Sequence, residues 1–154
     1  MEKAIKEIIS TLLIILLTLA FYQGLKLVLH TDIPLVVVAS GSMEPVFYRG
    51  DVVVLKGVKP EDIKVGDVVV YRSPLAKYPI IHRVREVRKV VIGGREKLCF
   101  VTWGDHNPVP DIYPTFNGVL DCVPGDAVEA KALLVIPKVG WISIKFRELL
   151  GLGG

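Results

Sequence analysis

From Ile8 to Phe21 the chain reads IISTLLIILLTLAF, without one charged side chain. Only the small hydroxyls of Ser10, Thr11 and Thr18 interrupt the apolar run. Continued to Leu29, the stretch rises about 33 Å as a helix, enough to cross the hydrocarbon core of a bilayer. Lys26, near its far end, can snorkel toward head groups. The rival is a cleavable signal peptide, with Lys3 and Lys6 as its charged start. Against that rival, the apolar stretch is long and no A-x-A-like site follows it. The expectation is an uncleaved anchor over residues 1–30. Lys3 and Lys6 favour a cytoplasmic N-terminus, which puts the rest of the chain on the extracytoplasmic side of a cell membrane, spanned once.

Composition agrees. Hydrophobic residues are 51% of the 154, with a mean hydropathy of +0.49. Such a chain is not disordered. Lys and Arg number 19 against 16 Asp and Glu, a net charge of +3. With no clustered basic face in the sequence, nucleic acid is not an expected partner. The bilayer is. The length leaves room for one further folded domain.

Beyond Ile33 the pattern changes to short Val-rich runs separated by Gly and Pro. LVVVAS, DVVVLKGV, GDVVVYRSP, IIHRVREVRKVVI and KLCFVTW follow one another, and two more short runs lie after Gly118. Gly93-Gly94 has the form of a hairpin turn. β-branched residues in runs of this spacing predict a mainly β barrel or sandwich over 31–136. Residues 137–154 mix Trp141, Ile142, Ile144, Phe146 and Leu149 with Lys145 and Arg147. They suit a membrane-proximal or interfacial helix, or ordinary packing followed by a Gly-rich tail. Cys99 and Cys122 are too few for a disulfide scaffold; they can form one bridge or remain two buried thiols.

Ser40-Gly41-Ser42-Met43-Glu44-Pro45 sits between two Val-rich strands. Small residues there permit a tight turn that presents a hydroxyl outward. A serine nucleophile needs a base, and the chain has three histidines. His30 borders the apolar run, His106 lies in a turn, and His82 lies within IIHRV. Neutral imidazole is the ordinary side chain able to take a hydroxyl proton near neutral pH. A third group must orient it, and GDHNPVPD supplies Asp105 and Asp111.

In this order, SGSMEPVFYRGD, GDVVVYR, IIHRV and GDHNPVPD resemble the boxes of type I signal peptidases. The histidine makes the resemblance closest to their archaeal and endoplasmic-reticulum form. It covers residues 8 to 142. It implies a signal-peptidase-like β domain behind an N-terminal transmembrane helix, with Ser42 as nucleophile and His82 as general base. It further implies Asp111 as the essential carboxylate, Asp105 as a supporting acid and Ser40 as an oxyanion donor. Val38, Ala39, Met43, Ile80 and Ile81 would line shallow pockets for small side chains before the cut. The implied substrates are preprotein signal peptides, with accessory membrane subunits as further partners and no cofactor or metal.

Three other readings compete. A membrane-tethered β domain could bind peptides or subunits without cutting them. A metal hydrolase could use His82, His106, Asp105 and Asp111, but Asp105 and His106 are adjacent, and neighbours on a strand point apart. A self-cleaving repressor-type peptidase would need a lysine base and a DNA-binding helical domain, and neither is visible.

Overall fold

The computed structural model describes residues 2–116 and 118–151. A single helix, α1 (Glu2–Leu29), carries the apolar run, and none of its residues is buried. Leu17, Phe21 and Leu27 are each more than half exposed. It is long and apolar enough to cross a membrane. Water would wet this whole surface, at about 25 cal/mol for each Å²; lipid removes that cost.

The helix does not end in a free linker. The Gly57 N–H donates to the Leu29 carbonyl at 2.8 Å. A Cβ on Gly57 would lie 1.8 Å from the His30 carbonyl oxygen, so only glycine fits there. His30 itself turns the chain with φ of 51°.

The remainder is mainly β. The strands are β1 (Leu35–Val37), β2 (Val52–Lys56), β3 (Val68–Tyr71), β4 (Ile80–Ile92), β5 (Arg95–Trp103), β6 (Tyr113–Thr115), β7 (Gly118–Leu120), β8 (Val123–Pro124) and β9 (Val128–Ile136). Seven form one curled antiparallel sheet in the order β1-β2-β9-β3-β4-β5-β8, and β6 with β7 makes a separate hairpin. β9 therefore inserts between β2 and β3. The turn between β4 and β5 falls at Gly93 and Gly94, with φ of 60° and 77°, as a tight hairpin requires.

Every residue of β3 is buried, which explains why VVVY is a continuous apolar run rather than an alternating one. Val68 and Val70 join Val38, Met43, Phe47, Val53 and Leu55 on one face. Val69 and Tyr71 join Val84, Phe100 and Val123 on the other. A third cluster surrounds Cys99 and Cys122, which are bonded to each other with Cα atoms 5.6 Å apart. The bridge ties β5 to the segment entering β8.

The last element among the described residues is α2 (Trp141–Leu149), whose start is held against the turn after the serine box, where the Gly140 N–H donates to the Gly50 carbonyl at 2.8 Å. The buried Asp51 accepts from the N–H of Tyr48 at 2.8 Å and of Lys138 at 2.9 Å. Arg49 reaches Glu148 at 2.7 Å and lies over the Trp141 ring. Ile142, Phe146 and Leu149 remain exposed.

Candidate active site

Ser42 lies in the loop between β1 and β2. That loop is fixed at its base, where the Val38 N–H donates to Asp51 and the Gly50 N–H donates to Val38. Its Met43 is wholly buried. Anchoring on one side by Met43 leaves the neighbouring serine partly exposed. A second tie comes from across the molecule, where the His106 N–H donates to the Ser42 carbonyl at 2.9 Å.

His82 sits on β4 opposite Val69 of β3, only 7% exposed. Its Nε2 is 3.2 Å from Ser42 Oγ. Its Nδ1 is 2.6 Å from Asp111 Oδ2. Serine, imidazole and carboxylate thus stand in line, the geometry in which a base can take a hydroxyl proton while a carboxylate holds its tautomer. Thr102 on β5 donates its hydroxyl to the same Asp111 oxygen at 2.7 Å. The Asp111 N–H bonds the Thr102 carbonyl at 2.8 Å, fixing the carboxylate's backbone as well.

The two acids separate cleanly. Asp105 does not face His82. Arg83 grips it in a fork at 2.8 and 2.7 Å, and Arg85 adds a further contact. The hydrogen bond from Arg83 holds the Asp105 carboxyl below the usual carboxylate range, with the charges of Arg83 and Arg85 adding to it. Arg85 also stacks over Trp103, 5.0 Å from the ring centre. This cluster braces the loop that carries His106 and Asp111.

Ser40 is exposed, its Oγ 3.3 Å from Ser42 Oγ. Of the residues expected to line pockets, Ala39 is exposed, and Ile80 and Ile81 are half-buried. Val38 and Met43, at 3% and 0% exposure, are packed in the core cluster beneath the site. His106 is exposed and contributes its backbone rather than its ring. Among the described residues no three His, Cys, Asp or Glu side chains group as metal ligands would.

Sequence reasoning missed Thr102, Arg83 and Arg85. Thr102 carried one signal: a hydroxyl inside the apolar strand CFVTW, which needs a buried partner.

No protein-family profile matches the chain. Individual proteins do. The signal peptidase complex catalytic subunit SEC11 of Komagataella phaffii is 36% identical over 145 residues, 92% of this chain and 83% of that protein. This chain belongs to the signal peptidase family. SEC11 of Yarrowia lipolytica is 38% identical over 143 residues, covering 87% of this chain and 79% of its own length. SEC11C of Homo sapiens is 35% identical over 140 residues, covering 90% and 70%. In this family member, the serine box, IIHRV and GDHNPVPD come from loops and strands far apart in sequence and meet at one place. The membership and the mainly β fold behind an apolar helix both agree with the resemblance read from the sequence.

Proposed function

We propose that the chain is a membrane-anchored serine endopeptidase that removes signal peptides from preproteins, cutting after small residues. The observation that carries this is the line from Ser42 Oγ through His82 to Asp111, at 3.2 and 2.6 Å. Its relatives are named as catalytic subunits, which disfavours a binding-only domain.

The steps follow from the geometry. Ser42 Oγ attacks the scissile carbonyl as His82 Nε2 takes its proton. Asp111 keeps the Nδ1 proton in place and stabilises the imidazolium. The oxyanion draws on the Ser42 N–H and the Ser40 hydroxyl. His82 then protonates the departing amine, and a water molecule, activated by the same imidazole, releases the acyl group. Ala39, Ile80 and Ile81 offer an apolar surface with little depth, which suits small side chains. The peptide would lie extended beside the sheet.

In this reading residues 1–30 anchor, 31–136 catalyse and 137–154 lie close to the membrane. The Cys99–Cys122 bridge supports placing the catalytic domain on an oxidising, extracytoplasmic side. Relatives named as subunits of a complex support accessory membrane partners for this chain too.

The test is digestion of a preprotein in detergent by the full chain, with sequencing of the new N-terminus. Wild type should cut after a small residue, while Ser42→Ala and His82→Ala should not cut. Cleavage that survives Ser42→Ala removes the reading.

A further inference from the structure

Tyr71 is wholly buried, yet its hydroxyl has no hydrogen-bond partner of good geometry. An unpaired buried hydroxyl is costly, and phenylalanine would fill the same space. Its placement is informative. Val69 pairs with His82, and Val84 pairs with Thr102. Paired and alternate residues share a sheet face, so Tyr71, His82 and Thr102 all face the same way. Asp111 caps that face.

Burial, and next the charge of Asp111, push the Tyr71 phenol well above its ordinary value, so it is always a donor. Both side-chain hydrogen bonds of Asp111, from His82 and Thr102, fall on Oδ2. Oδ1 takes neither of them. The Tyr71 hydroxyl, a donor without a partner of good geometry, is near enough to Asp111 for the carboxylate to act on it.

We propose that Tyr71 is a positioning residue for the reaction: its hydroxyl donates to the Asp111 carboxylate and steadies it while His82 carries positive charge. This rests on the roles of Ser42, His82 and Asp111 given above. The other charged groups nearby have ion-pair partners of their own, although Arg85 Nε and Glu129 Oε2 are, like the Tyr71 hydroxyl, buried without a hydrogen bond. On β4, Arg83 and Arg85 hold Asp105. On β9, Glu129 pairs with Arg72 and Lys131 with Asp67. His106 is exposed, and Tyr113 packs at the edge of the same cluster.

A carboxylate that loses a donor binds imidazolium more strongly, so His82 would keep its proton to higher pH. Tyr71→Phe in the full chain should therefore shift the acid limb of kcat/KM upward by about half a pH unit. Its kcat at neutral pH should fall about 3- to 10-fold with KM unchanged. As a second arm, 3-fluorotyrosine placed at position 71 keeps the packing and donates more strongly, so the limb should move down. Limbs that superimpose on wild type in both cases overturn the inference. Cleavage that persists in a parallel Ser42→Ala sample overturns the proposed function itself, which separates the two failures.

Discussion

Gly104 lies directly against the Ser42 carbonyl. A Cβ added to it would come 2.2 Å from that oxygen and 3.0 Å from His82 Nε2. The loop bearing Asp111 can approach the serine loop only because residue 104 has no side chain.

Gly104→Ala should therefore push the serine and histidine apart. Displacements of about 1 Å at reacting atoms cost on the order of 100-fold in rate. Preprotein cleavage should drop by that order. A rate within a factor of about two of wild type would show that the loops yield without cost.

In the proposed mechanism, Ser40→Ala removes one oxyanion donor and leaves the Ser42 N–H. The loss of one such donor costs about 2.7–4 kcal/mol, or 10²–10³-fold in kcat. Turnover should slow to that extent without vanishing, with KM little changed. Single-turnover kinetics on a preprotein would resolve it.

Asp105 links stability to pH. Its folded carboxyl is held below the usual range by Arg83, so its contribution is complete above the unfolded value and is lost as pH falls through the folded one. Asp105→Asn should cost about 2 kcal/mol at neutral pH. The variant's denaturation midpoint should also fall less steeply on acidification than that of wild type. Parallel slopes would remove Asp105 from the acid response.

The Cys99–Cys122 bridge closes a sequence separation of 23 residues. Replacing both cysteines by alanine should cost about 3 kcal/mol. Thermal melts should show a drop of about 10 °C. The fraction that stays folded should cleave at the wild-type rate, because neither sulfur touches the serine, histidine or Asp111.

The β3 to β5 strands were readable because valine runs bounded by glycine and proline have few other ways to fold. β6 was not, since Tyr113-Pro114-Thr115 is short and carries a proline. The serine, histidine and acid were found through motifs. The support that Thr102 gives was not, because that residue reaches Asp111 through strand register. The pairing of Val69 with His82 is a long-range fact that no local pattern encodes. Nor does nearness in sequence to Ser42 say how deeply a side chain sits: Ala39 is exposed, while Val38 and Met43 are buried.

The bond between Gly57 and Leu29 has a mechanical result. In the proposed reading the last turn of the anchoring helix is tied to the residue that follows β2, so the reactive hydroxyl would ride at one set height above the lipid. The enzyme in this reading measures as well as cuts. A susceptible bond held nearer to or farther from the membrane than that height goes unhydrolysed, however well its residues fit.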